Sequence, residues 1–220
     1  MKKGLFITLE GPDGSGKTTV ALKLKKALED KGYPVVHTRE PGGIEIAEQI
    51  RSVILDPKNT AMDARTEALL YAASRRQHLV EKVFPALERG DIVLCERFLD
   101  SSLAYQGYGR QIGFDEVYSI NEFAIDDCFP DLTLFLDVDE AVGLSRIKDR
   151  SFKDRLDQES IDFHHRVMNG YREVLKRFPE RITVIDAGQN AEKVTEDCLR
   201  IIEKKIDDRK RTLNEGSDSV

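Results

Sequence analysis

The stretch Gly11-Pro12-Asp13-Gly14-Ser15-Gly16-Lys17-Thr18 follows a short apolar run, Leu5–Leu9, and opens a segment of helical periodicity, Lys17–Asp30. It fits the pattern GxxxxGK[ST], a phosphate-binding loop (P-loop) set between a strand and a helix. Glycines let the backbone curl, so that several N–H groups converge on one anion. The start of the helix adds a favourable dipole. In such a loop Lys17 reaches the β- and γ-phosphates of a nucleotide and the Thr18 hydroxyl faces Mg²⁺. Gly11, Pro12, Asp13, Gly14, Ser15, Gly16, Lys17, Thr18 and Thr19 are the expected ATP contacts. ATP is the expected phosphoryl donor, with Mg²⁺ as its cofactor. The guanine-reading NKxD pattern is absent, which speaks against a GTPase switch.

Working outward, strand-length apolar runs alternate with helix-period segments. Tyr33–Thr38, Asp91–Glu96, Asp131–Val138 and Arg181–Ala187 read as further strands. Ile44–Leu55, Ala64–Leu87, Ile161–Phe178 and Ala191–Ile206 read as helices, with Pro85 expected to kink or end the second of them. Alternation of this kind implies an α/β fold, a parallel sheet covered by helices. The 220 residues favour one domain, taken as 1–207, with residues 208–220 expected to form a polar, flexible tail.

The composition narrows the partners. A formal net charge of −6 is wrong for a general polyanion binder, so no nucleic-acid partner is expected. No apolar stretch approaches membrane-spanning length and the N-terminus does not read as a signal peptide, so a cytoplasmic protein without a membrane partner is expected. Cys95, Cys128 and Cys198 are too scattered for a disulfide framework or a CxxC site and read as buried thiols.

Ligands of parallel sheets bind beyond the carboxyl ends of the strands. Arg39, just after the second strand, and Arg97, just after the third, therefore point toward the P-loop. Arg51 and Arg75–Arg76 lie on helices nearby in sequence. Moving a phosphoryl group onto an anionic acceptor brings two anions together, and guanidinium groups are the expected neutralisers. Glu96 ends an apolar strand where a Walker-B carboxylate belongs, to hold Mg²⁺, directly or through water, or to orient the acceptor phosphate through Arg97. The basic segment 146–157 suits a lid that closes over ATP, the lid taken as about 149–157.

With these motifs in hand, the sequence resembles the thymidylate kinases, a family of nucleoside monophosphate kinases. The resemblance spans about Phe6 to Ile202 and rests on LEGPDGSGKTT, TREPGG, LLYAASRRQHL, ERFLDSSLAYQG and the lid followed by RLDQES. It implies a three-layer P-loop NTPase fold with a five-stranded parallel sheet, helices on both faces and a short lid. It also implies a homodimer and transfer of the ATP γ-phosphoryl group to dTMP. Carried onto matching positions, Tyr71 stacks on the base, Arg75 hydrogen-bonds it and Pro41 borders it. Arg39 or Arg51, with Arg97, holds the acceptor phosphate, and Asp13 approaches the sugar 3′-hydroxyl. Ser102, Tyr105 and Gln106 line the base and sugar, with Tyr105 as the steric check against a ribose 2′-hydroxyl. Arg146 joins the ATP contacts.

Two positions depart from the family pattern. Glu96-Arg97-Phe98 stands where Asp-Arg-Tyr is usual, which extends the carboxylate by one methylene. Gly14 stands where some members carry a P-loop arginine. In the bacterial pattern that charge moves to the lid, and Arg155, ahead of Arg150, is expected to stabilise the transferring phosphoryl. The expected catalytic set is thus Lys17, Glu96, Arg97, Arg150 and Arg155.

Overall fold

The computed structural model describes residues 4–139, 142, 143, 145 and 154–217, the side chains of 212–217 excepted. Five strands, β1 (Leu5–Glu10), β2 (Val35–Arg39), β3 (Ile92–Glu96), β4 (Leu132–Asp137) and β5 (Ile182–Asp186), form one parallel sheet in the order β2-β3-β1-β4-β5. β1 is central, and all six of its residues are buried. Its side chains alternate between the two faces, as a strand dictates. Leu5, Ile7 and Leu9 join a core with Val20, Ala21, Leu24 and Leu28 of helix α1 (Lys17–Asp30) and Val194, Cys198 and Ile202 of the C-terminal helix. Phe6 faces the other way, into a core with Leu79, Val83, Leu87, Phe98 and Val117. Glu10, of the same parity as Phe6, therefore lies on that second face, beneath the P-loop.

Helices cover both faces, and the fold is the expected P-loop α/β architecture. The second face carries α2 (Glu45–Leu55), α3 (Ala64–His78), α4 (Phe84–Arg89), α5 (Leu99–Ser102), α6 (Phe114–Ile125) and α7 (Ile161–Arg177). Capping sets two starts: Asp63 accepts from the Arg65 and Thr66 amides before α3, and Ser160 accepts from the Phe163 amide before α7. The segment 64–87 differs from its sequence reading. It neither ends nor breaks at Pro85, because a π-helical turn, Leu79–Val83, precedes α4 and Pro85 falls in the first turn of α4. There a missing N–H costs least. The C-terminal helix, α8 (Ala191–Ser217), continues past Ile206. Its polar continuation is rich in Lys, Arg and Asp, a helix-compatible mixture without an apolar face.

A second π-helical turn, Leu103–Gly109, follows α5. It turns Tyr105 and Gln106 toward the P-loop side of the sheet. Gly170 of α7 lets that helix approach closely, since a Cβ there would lie 2.8 Å from the Ala104 Cα. Cys95, Cys128 and Cys198 are buried free thiols, and burial pushes Cys198 up to about 12. Among the described residues no helix is long and apolar enough to cross a membrane.

Candidate active site

The P-loop lies at the carboxyl end of β1, flanked by β3 and β4. Gly16 begins α1 in the left-handed conformation, at φ 89°. Lys17 turns its Nζ onto its own loop, donating to the Gly11 carbonyl (3.0 Å), the Pro12 carbonyl (2.8 Å) and Ser15 Oγ (3.2 Å). Burial, and then the charge of Arg97, lower its pKa to about 7. Gly14 sits at φ 79°, and a Cβ there would lie 2.3 Å from the Gly143 carbonyl. The backbone of Gly143 thus occupies the place from which a P-loop arginine would depart.

Arg97 leaves β3 in the left-handed region, at φ 65°. That conformation costs a non-glycine residue about 1–2 kcal/mol, and a dense set of hydrogen bonds offsets it. Nη1 donates to the Gly11 carbonyl (3.2 Å), Ser101 Oγ (3.0 Å) and Tyr171 OH (3.2 Å). Nη2 donates to Asp13 Oδ1 (2.6 Å) and Tyr105 OH (3.2 Å). Burial alone would weaken its hold on the proton, but Asp13 and its other neighbours outweigh that and raise its pKa. Tyr105 completes the triangle by donating to Asp13 Oδ2 at 2.7 Å. Below lies Glu10, which accepts from the Phe98 amide (2.7 Å), the Ser101 amide (3.3 Å) and Ser101 Oγ (2.5 Å). Burial, then the nearby Asp100 charge, push its carboxyl up to about 7.

Glu96 and Thr18 meet. Thr18 Oγ1 donates to Glu96 Oε2 at 2.5 Å, while Glu96 Oε1 bonds His37 Nε2 at 2.8 Å. Burial would raise this carboxyl, but the bonds from His37 and Thr18 outweigh it and hold it below the usual range. A hydroxyl beside an ionised carboxylate is an oxygen donor set of the kind a hard divalent cation takes, so these residues fit Mg²⁺.

A cavity of about 400 Å³ runs from this phosphate end into the acceptor side, within the range of small-molecule sites. Asp13, Gly14, Gly16, Lys17, Thr18, Thr19, Glu96 and Arg97 line one end. Arg39, Pro41, Arg51, Tyr71, Arg75, Ser102, Tyr105 and Gln106 line the rest. Gly11, Pro12 and Ser15 lie behind, within the loop. Arg39 pairs with Glu48 (2.8 Å) and Arg51 donates to the Pro41 carbonyl (2.8 Å), so both guanidinium groups border one end of the cavity wall. Burial, then the charge of Arg39, lower the Arg51 pKa.

Arg75 is anchored from behind. Its Nε donates to Glu40 Oε2 at 2.7 Å, and its Nη1 to Ser102 Oγ (3.1 Å) and to Asn121 Oδ1. Glu40 also bonds His78 Nδ1 (2.8 Å), whose Nε2 meets Thr38 Oγ1 (2.7 Å). Glu40, His78 and Cys95 form a buried cluster of metal-ligand types, but the Glu40 oxygens and His78 nitrogens already bond protein groups. None of Glu10, His37, Glu40, His78, Asn121 and Tyr171 figures in the sequence-based set. Glu40 was within reach, since it stands inside TREPGG.

Arg155 does not line the cavity, although Asp154 and Leu156 on either side of it do. Its Nη2 pairs with Glu67, its Nε donates to the Ile54 carbonyl at 2.8 Å, and its own amide bonds the Leu55 carbonyl at 3.2 Å. Residues 155–158 form a turn, braced by Asp154 Oδ1 accepting from the Leu156 and Asp157 amides, and within it the Arg155 guanidinium meets a buried carboxylate. Glu67 also accepts from Gln106 Nε2 at 2.9 Å and from Arg110 Nε at 3.1 Å, so it joins the acceptor wall to the far end of the lid segment. Arg146, Arg150 and lid residues 149–153 lie outside the described residues.

Comparison with known proteins is consistent along the chain. Residues 9–198 match the family described as thymidylate kinase. The chain is 58% identical over 205 residues to a thymidylate kinase of Bacillus velezensis, covering 92% of this chain and 97% of that one. It is 58% identical over 199 residues to a thymidylate kinase of Clostridium novyi, covering 90% and 97%. The crystal structure of thymidylate kinase from Ehrlichia chaffeensis superposes with a TM-score of 0.74 at 34% identity, covering 91% of this chain and 98% of that one.

Proposed function

The chain belongs to the thymidylate kinase family, and from that premise we propose that it transfers the γ-phosphoryl group of ATP to dTMP, giving dTDP and ADP. It is a nucleoside monophosphate kinase. The observation that carries the reading is one cavity on which a P-loop lysine and threonine converge with Arg39, Arg51 and Arg97 and with a base-reading pair, the partly buried Tyr71 and the buried Arg75.

Phosphoryl transfer asks little covalent chemistry of the protein; positioning and charge neutralisation carry it. In our reading the loop amides 13–19 cradle the ATP phosphates and Lys17 swings from the Gly11 and Pro12 carbonyls to the β- and γ-oxygens. Thr18 and Glu96 hold Mg²⁺, which when bound neutralises charge on the phosphates. Arg97 sits between donor and acceptor, with Arg39 and Arg51 together on the dTMP phosphate. That Arg39 and Arg51 both line the cavity supports using both arginines. Tyr71 offers a flat apolar face to thymine, and Arg75, Ser102 and Gln106 supply polar contacts to its edge. Pro41 borders the base, Asp13 meets the 3′-hydroxyl, and Tyr105 crowds the 2′ position. From the lid at 149–157 we assign Arg150 to the transferring phosphoryl and Arg146 to ATP. Arg155 tethers the lid's far end to Glu67.

We further propose a single domain acting in the cytoplasm as a homodimer. Leu69 on α3, Val80 in the turn after it and Phe123 on α6 leave apolar surface exposed, which a second copy would cover. Sedimentation should give twice the chain mass; a monomer at micromolar concentration overturns the dimer.

The test of function is ADP release from Mg²⁺-ATP against a panel of ribo- and deoxynucleoside monophosphates. Preference for dTMP is expected. Preference for another monophosphate overturns the base-site assignment, and release independent of any acceptor overturns the kinase reading.

A further inference from the structure

His37 enters none of the roles above, yet it touches the carboxylate assigned to the cation. β2 and β3 pair in parallel with His37 opposite Leu94 and Arg39 opposite Glu96. Alternation puts His37, Leu94 and Glu96 on the same sheet face, where Leu94 packs with α1. His37 therefore stands one pair behind Glu96, close enough to bond its carboxylate but set back from the strand end where the phosphates bind. The two oxygens of Glu96 are divided: Oε1 goes to His37 Nε2 at 2.8 Å and Oε2 to Thr18 Oγ1 at 2.5 Å. Facing an ionised carboxylate, Nε2 is the donor.

We propose that His37 is a positioning residue for Glu96, holding its carboxylate turned so that Oε2 faces Thr18 and the divalent cation of the donor nucleotide. This rests on the reading of the site as a Mg²⁺-nucleotide kinase. The physical need comes from length. A glutamate side chain has one more rotatable bond than an aspartate and reaches about 1.5 Å farther. A carboxylate on that longer arm samples orientations that present neither oxygen to the cation, and a fixed donor on Oε1 removes them. Partners that orient a metal-binding carboxylate change metal affinity by about 10–100-fold when lost. Arg39, on the same face of β2, does not serve instead, because its guanidinium is engaged by Glu48 at 2.8 Å.

The test uses the full chain and Mn²⁺ as a paramagnetic probe. Mn²⁺ binding in the presence of ADP is followed by electron paramagnetic resonance, and ADP binding in EDTA by calorimetry. His37→Leu fills the space without a donor, His37→Val does so with a strand-favouring side chain, and His37→Gln keeps an N–H for Oε1. The Leu and Val variants are expected to bind Mn²⁺ about tenfold or more weakly, with metal-free ADP affinity unchanged. The Gln variant should recover to within about threefold of the parent. Native-like Mn²⁺ binding in the Leu or Val variant overturns the proposal, as does an equal loss of metal-free ADP binding, which marks a merely structural role. A parent protein that binds ADP equally with and without Mn²⁺ overturns both this proposal and the kinase reading beneath it.

Discussion

Glu40→Ala should unfold the acceptor side before it touches the phosphate end. Glu40 is the buried partner of two side chains, Arg75 at 2% exposure and His78 at 0%. Removing one member of a buried pair leaves the other uncompensated, at about 3–5 kcal/mol. For a chain of 220 residues the unfolding entropy is about 0.46 kcal/mol/K. The melting temperature should therefore fall by about 6–11 °C. Arg75 keeps Ser102 and Asn121, so it is loosened rather than lost. One charged hydrogen bond, about 1.5–3 kcal/mol, sets the ceiling on weakened dTMP binding, and KM for dTMP should rise about tenfold with kcat changed less.

The same residue predicts an acid limb. Burial would raise the Glu40 carboxyl, but Arg75 and His78 outweigh it and hold it below its ordinary value. Its stabilisation is full above the unfolded pKa of about 4.3 and is lost as pH falls through the lower folded value. The parent should thus lose more stability between about pH 5 and 3 than Glu40→Gln does. Calorimetric melting and initial rates at varied dTMP check all of this. A Glu40→Ala protein that melts within about 2 °C of the parent, with KM unchanged, refutes the reasoning.

Arg155→Ala separates a tether from a catalytic charge. As a tether its loss should cost about 1.5–3 kcal/mol, or about 3–6 °C in melting, with kcat reduced less than about tenfold; an unshifted melt with kcat down about a thousandfold would restore the phosphoryl role. Glu10→Gln should flatten a pH slope. With its carboxyl raised to about 7, the folded chain holds a proton that the unfolded chain has released, so parent stability falls as pH rises from about 4.5 to 7. Urea unfolding across that window should show the fall in the parent and not in the variant. Gly14→Ala should lose nucleotide binding or stability, since its Cβ would sit 2.3 Å from the Gly143 carbonyl at a positive φ; a variant that binds ATP as the parent does would show that the loop can shift at no cost.

What the sequence determined by itself was local. The P-loop is legible because a curled backbone, a lysine and a helix start are all specified within eight consecutive residues. The helix Lys17–Asp30 is observed at its expected bounds, and each strand lies within two residues of its expected ends, because period and turn residues act over a few positions. That Arg39 and Arg97 border one cavity also accords with strand ends in a parallel sheet, Arg97 alone bonding the P-loop. Only the tertiary structure decided who pairs with whom. Arg155 meets Glu67 88 positions away, Arg75 meets Glu40 35 positions away, and His37 meets Glu96 59 positions away. Such pairs depend on strand order, on parity along each strand and on which helix covers which face. A basic lid-like segment reads the same in sequence whether its arginine turns to the phosphates or to a buried glutamate, because the deciding charge belongs to another helix.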